Sequence, residues 1–205
     1  MLEFENEFKD LGYNLIAGMD EAGRGPLAGR VYAAMVIMPL DDDKIIDGVN
    51  DSKKLTEKKR ESLFEEITKK ALAYSICYVD EKTIDEINIL EATKQCMQKC
   101  LEEIKIMPDF VLVDYVNNLM LNKPFRTIVK GDALSYSIGC ASILAKVARD
   151  RYIIEMAQKY PNYGFEKHKG YGTKLHYEMI SKYGVSDIHR KTFLRNLKEH
   201  NIAVD

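Results

Sequence analysis

No run of apolar residues in this chain approaches the roughly 20 needed to cross a bilayer, so no membrane-spanning helix and no membrane partner are expected. A secretory leader is not expected either. The opening residues Met1-Leu2-Glu3-Phe4-Glu5 are acidic where a signal peptide is basic and then apolar, so a cytoplasmic protein is expected. Cysteine is sparse: Cys77, Cys96, Cys100 and Cys140 are the only four. Cys96 and Cys100 are spaced to share a helix face, but no second pair lies nearby to complete a zinc site, and all four read as reduced, mostly buried thiols. Internal repeats and low-complexity tracts are absent, and nothing in the sequence demands an oligomer, so a monomer is expected.

With 205 residues and 46% hydrophobic content, the chain can bury one substantial core. Charged residues make up 30%, and the net charge is -2, but the distribution is uneven. From Lys146 to Lys198 there are 12 Lys and Arg against 5 Asp and Glu, whereas the rest of the chain holds 18 against 27. Such a segment is either a set of solvated helix faces or a positive surface for a polyanion.

The pattern along the chain predicts an α/β fold. Asn14 to Asp20 reads as a strand, followed by a glycine- and proline-containing turn from Ala22 to Gly29. Arg30 to Met38 reads as a second strand, paired antiparallel with the first. Thr56 is placed to cap a helix in which Leu63, Phe64 and Ile67 share a face. Ala71 to Val79 predicts a third strand, and Ile84 to Ile106 one helix closed by Pro108. The apolar run Phe110-Val111-Leu112-Val113 is the pattern of a strand buried on both faces. Phe125 to Val129 predicts a further strand, Tyr136 to Tyr160 a long helix stopped by Pro161, and Lys174–Tyr183 and Thr192–Lys198 two more helices. The expected organisation is a mixed central sheet flanked by helices over residues 1–160, with a basic helical extension packed on it over 161–205.

Four acids stand where a strand ends or a helix begins. Asp20 and Glu21 close the first strand, Asp114 closes the buried strand, and Asp132 precedes the long helix. Neighbouring strand residues point to opposite faces, so Asp20 and Glu21 reach one metal pair only if the chain bends there, and Gly23 and Gly25 would permit that. Gathering carboxylates is electrostatically costly. A divalent cation offsets the cost, and oxygen ligands suit Mg²⁺ or Mn²⁺ rather than zinc. Singly, each acid has a plainer reading: Asp132 could be a helix cap and Asp114 a strand-end acid meeting solvent. Gly23-Arg24-Gly25-Pro26 allows close backbone approach to a ligand, with an arginine able to donate to phosphate. It is neither a P-loop nor a dinucleotide fingerprint, because no helix follows.

Five ordered blocks carry a family resemblance. Asp20-Glu21-Ala22-Gly23-Arg24-Gly25-Pro26 resembles the opening signature of the ribonuclease HII family, and Asp51-Ser52-Lys53-Lys54-Leu55 its second block. Lys130-Gly131-Asp132, leading into Ala141-Ser142-Ile143-Leu144-Ala145-Lys146-Val147 and Arg149-Asp150, resembles the third. His168-Lys169-Gly170-Tyr171-Gly172-Thr173 and the late His189-Arg190 resemble the last two. Gly139 and Cys140 depart from it, standing where relatives have two alanines, and Gly139 is expected to cost about 1 kcal/mol of helix stability.

The resemblance implies a ribonuclease H-like fold with Asp20, Glu21, Asp114 and Asp132 as metal-site carboxylates. It implies that Gly23, Arg24 and Gly25 read a ribonucleotide through its 2′-hydroxyl while Tyr171 stacks on the neighbouring deoxyribose. The implied substrates are RNA–DNA hybrids and duplex DNA with embedded ribonucleotides. They would be cut 5′ of a ribonucleotide by two-metal-ion chemistry to give 3′-hydroxyl and 5′-phosphate ends. Lys53, Ser142 and Lys146 are candidate phosphate contacts, His168 and Lys169 are expected to flank a loop facing nucleic acid, and the basic extension would help hold the duplex. His176 and His200 read as surface residues without a role. The alternatives are a DNA-directed nuclease or recombinase of the same fold class and a non-catalytic hybrid-binding module, which would need the basic segment but not the acids.

Overall fold

The computed structural model describes residues 1–50 and 52–194. Asp51, the end of the helix expected over Thr192–Lys198, and His200 lie outside them. Helix α1 (Glu3–Asp10) leads into β1 (Ile16–Ala22) and β2 (Val31–Ile37), then α2 (Glu57–Lys70), β3 (Ala73–Val79), α3 (Glu81–Ile87) and α4 (Ile89–Glu103). Strands β4 (Phe110–Asp114) and β5 (Phe125–Ile128) follow, then α5 (Gly131–Leu134), α6 (Tyr136–Lys159), α7 (Phe165–His168) and α8 (Lys174–Tyr183). The strands form one mixed sheet in the order β3-β2-β1-β4-β5. β1 pairs antiparallel with β2, and β2 with β3, whereas β1–β4 and β4–β5 are parallel.

Both sheet faces are covered, which is why β2 and most of β4 are apolar without alternation. On one face Ala33 and Met35 pack with Cys96, Met97 and Cys100 of α4. On the other, Ala34 and Val36 meet Cys140, Ala141 and Leu144 of α6, which also packs against Leu63 and Ile67 of α2. The first half of α6 is buried all round, as expected of a helix with little polar face. All four cysteines are free and buried. Among the described residues no helix is long and apolar enough to cross a membrane.

Three local features depart from expectation. The helix expected over Ile84–Ile106 is two helices, because Asn88 takes a left-handed conformation (φ 69°). Its side chain then caps α4, accepting from the Leu90 and Glu91 amides at 2.9 and 3.1 Å. Helix α1 was not foreseen. Its buried Glu5 Oε1 accepts from Ser135 Oγ at 2.6 Å and Ser137 N at 2.8 Å, placing a carboxylate at the N-terminus of α6. Finally, only a short 3₁₀ turn, Lys191–Leu194, occupies the described part of the last predicted helix.

Candidate active site

The parallel register of β1 and β4 aligns Met19 with Val113, so the next rung sets Asp20 beside Asp114. Asp114 is tied to the α5 turn by the Gly131 amide, which donates to its Oδ1 at 2.7 Å. That turn carries Asp132, and Lys130 enters it in a left-handed conformation (φ 58°). Asp132 is not the cap of α6; Ser135 is, accepting from the Ile138 amide. The strand does not break between Asp20 and Glu21: β1 stays paired with β2 through Ala22. The Glu21 amide donates to Asp20 Oδ1 at 2.7 Å.

Electrostatics link these acids. Burial pushes the Asp20 carboxyl well above the usual carboxylate range, repulsion from Glu21 and Asp114 adds to it, and a hydrogen bond from Ser142 opposes it. Burial also raises Glu21, against the attraction of Arg24, whose Nη1 lies 3.3 Å from Oε1. Asp114 is raised by burial and by Asp132, while the Gly131 amide lowers it. Lys53 Nζ stands 3.6 Å from Asp132 Oδ2. Among the described residues no three His, Cys, Asp or Glu side chains converge closely enough to hold one ion together. The acids form two linked pairs, Asp20 with Glu21 and Asp114 with Asp132. Their donors are all oxygen, and Glu21 Oε2 is buried without a hydrogen-bond partner among the described residues. A hard divalent cation fits such a donor set and would relieve its mutual repulsion.

The glycine loop follows Glu21, the one of the four acids that lines an open cleft of about 730 Å³ with Gly23, Arg24, Gly25, Lys53 and Tyr171, among others. Gly23 has φ 95°, and a Cβ there would come within 2.8 Å of the Arg30 carbonyl oxygen. Tyr171 is 43% exposed. Its ring edge lies 3.7 Å from where a Gly25 Cβ would stand, and the Arg149 guanidinium sits 5.6 Å from its centroid. Ser142 also lines the cleft and shares a hydrogen bond of 2.9 Å with Ser52. Lys146 reaches the cleft, but its ammonium is held by Asp150 at 2.8 Å.

Two expectations about the C-terminal third are corrected. The positive segment is not all surface, because Arg149 and Arg190 are fully buried side chains. His176 is not a surface residue either: it is buried, together with His168 and His189. The rings of His168 and His176 stack at 4.3 Å, and His176 Nε2 lies 3.0 Å from His189 Nε2. The Gly170 amide donates to His168 Nδ1, so this ring supports the turn before Tyr171 from beneath. Gly139 lies in a tightly packed part of α6. A Cβ there would meet Val49 Cγ1 at 3.0 Å and the Asp132 carbonyl oxygen at 3.1 Å.

Arg190 was singled out only as part of a block, yet its guanidinium donates to the carbonyls of Gly23, Arg24, Pro26 and Gly29. Arg60, given no role from sequence, donates to the Ser52 and Leu55 carbonyls and lines the cleft.

A mixed sheet of this order, covered by helices on both faces and carrying acids where its central parallel strands end, defines a nuclease of the ribonuclease H-like fold. The solved ribonuclease H2 of Pyrococcus horikoshii OT3 superposes with a TM-score of 0.75 at 29% identity, over 91% of this chain and 96% of that one. The ribonuclease HII of Archaeoglobus fulgidus, solved in complex with PCNA, also gives 0.75, at 27% identity over 90% and 97%. The sequence profile described as Ribonuclease HII matches residues 17–196. The ribonuclease HII of Caldicellulosiruptor bescii is 59% identical over 95% of this chain and 94% of its own length. The chain belongs to the ribonuclease HII family and is a ribonuclease H enzyme.

Proposed function

We propose that this enzyme hydrolyses the RNA strand of RNA–DNA hybrids and cuts 5′ of ribonucleotides embedded in duplex DNA, leaving 3′-hydroxyl and 5′-phosphate ends. The observation that carries the reading is the adjacency of the electrostatically coupled acids to a glycine loop faced by an exposed tyrosine. Asp20, Glu21, Asp114 and Asp132 would hold two divalent cations, Mg²⁺ or Mn²⁺, which when bound activate water and stabilise charge on the attacking and leaving oxygens. The acids themselves act as oxygen ligands and orienters, so no side-chain nucleophile is called for.

The protein's own groups do the selecting. Only the 2′-hydroxyl distinguishes a ribose from a deoxyribose at the sugar, and a loop with two glycines brings backbone N–H and C=O groups close enough to pair with it. Tyr171 offers an exposed ring beside Gly25 for stacking on the next sugar. Arg24, braced by Glu21, faces the cleft as a phosphate donor, and Lys53, Ser142 and Lys146 line the same cleft. Residues 161–194 would form an extension that packs on the catalytic unit and supports the duplex-facing loop.

The test is Asp114→Asn. Its single-turnover cleavage of a hybrid should fall at least ~100-fold with the circular-dichroism spectrum unchanged. Turnover close to that of the unaltered enzyme would remove Asp114 from the ligand set.

A further inference from the structure

Arg190 is a costly residue to bury. It is 0% exposed, and burial pushes its guanidinium down to about 10, which still leaves it charged at neutral pH. Among the described residues no carboxylate holds it by a hydrogen bond, although Glu81 and Asp85 attract it. Its partners are backbone carbonyls: Nε donates to Gly29 O at 2.8 Å, Nη1 to Arg24 O at 3.0 Å and Pro26 O at 2.9 Å, and Nη2 to Gly23 O at 2.6 Å. The Arg190 amide adds a bond to Leu27 O at 2.8 Å. The glycine loop is therefore folded around one planar fork of donors. A buried cation is poor value as a source of stability alone, but it is a rigid template for carbonyls that must point inward.

The residue before it reaches the other half of the site. The Ser186 amide donates to His189 Nδ1 at 2.8 Å, which leaves the ring proton on Nε2. That proton is given to His176 Nε2 at 3.0 Å, and His176 in turn donates from Nδ1 to the Tyr171 carbonyl at 2.9 Å. This is the tautomer set in which every neutral ring has a matched partner. The Ala28–His189 bridge and the Leu27 amide on Gly170 O at 2.8 Å join the two arms.

We propose that the His189-Arg190 dipeptide is the positioning element that holds the Gly23–Gly25 loop in register with Tyr171, and thereby sets selectivity for a 2′-hydroxyl. The assignment rests on reading that loop and Tyr171 as the ribose-recognition site. Two successive residues grip its two halves, so a shift in one is felt in the distance between both. Neither residue touches substrate; both act through the backbone they hold.

The experiment is fluorescence anisotropy in chelator, comparing affinity for a duplex with one ribonucleotide against the all-DNA duplex. Arg190→Lys keeps the charge but loses the fork, and should lower the affinity ratio about 10-fold while all-DNA affinity stays within about 3-fold. A merely structural role would weaken both affinities together and leave the ratio intact, which would overturn the proposal. If Arg190→Lys does not fold, His176 decides. His176→Asn keeps a donor for the Tyr171 carbonyl and should hold the ratio within about 2-fold, whereas His176→Leu should lower it about 10-fold. Equal ratios in those two variants would also overturn it. Tyr171→Ala separates the levels. If it leaves the ratio unchanged, the recognition reading itself falls. If it abolishes the ratio while Arg190→Lys does not, only the positioning role falls.

Discussion

Gly18 on β1 and Ser137 in the first turn of α6 are in backbone contact: a Cβ on Gly18 would stand 2.0 Å from the Ser137 carbonyl carbon and 2.4 Å from the Ile138 nitrogen. This approach seats α6 directly on the central strand. It brings Ser142 within hydrogen-bonding reach of Asp20, two residues beyond the glycine, and sets the α5 turn, with Asp132, at the end of β4. The spacing of the acid site thus depends on a residue without a side chain.

Gly18→Ala should therefore be severe. The opposing atoms are backbone and cannot move aside by changing rotamer, so the helix must shift as a body. A loss of about 3 kcal/mol is expected in urea unfolding, together with reduced cleavage by the folded fraction. A change smaller than about 0.5 kcal/mol would show that strand and helix are not so closely seated.

Asp150 gives a second prediction. It is 8% exposed and serves Lys146 at 2.8 Å, Arg149 at 3.2 Å and Arg60 at 3.9 Å. Asp150→Asn keeps the shape but leaves three cations facing one another in a site with little water. A cost of about 3 kcal/mol is expected, and combining it with Lys146→Met should recover part of the loss. Strict additivity of the two changes would argue against a shared network.

The histidine cluster predicts how stability depends on acid. Burial lowers His176 to about 3 and His189 to about 4, and His168 is lowered too, against about 6.5 in an unfolded chain. Between those values the unfolded state binds protons that the folded state refuses, so stability rises with pH there. It should be complete above about pH 6.5, fall as the pH drops toward 4, and level off below about 3. Melting curves of the native protein and His176→Asn should diverge across that window, the native curve being steeper. Parallel curves would mean that these rings are not held neutral.

Much of the fold was legible because its signals are local. The Phe110–Val113 run and the uninterrupted β2 announce strands covered on both faces, and Thr56 caps α2 as expected, accepting from the Lys59 amide. The acids were legible as strand-end and helix-start residues, and the register of β1 with β4 sets Asp20 beside Asp114. Other features depend on partners distant in sequence. Glu5 gains its meaning from Ser135 and Ser137, and Arg190 from the carbonyls of Gly23 to Gly29. His176 looked like a surface residue because its neighbours in α8 are mixed, and only His168 and His189 make its burial intelligible. Asn88 was missed for the opposite reason: apolar spacing runs straight across it, and one left-handed residue outweighs that pattern.

Cutting next to a ribose, and only with metal, is what the arrangement of acids and glycine loop is proposed to do. It is tested most directly with a DNA duplex carrying one ribonucleotide beside the same duplex in all-DNA form, each with Mg²⁺, Mn²⁺ or chelator. One cut is expected on the 5′ side of the ribonucleotide, with 3′-hydroxyl and 5′-phosphate ends, in the presence of either metal. No product is expected in chelator and none from the all-DNA duplex. Equal cutting of both duplexes, or cutting in chelator, would contradict the proposal.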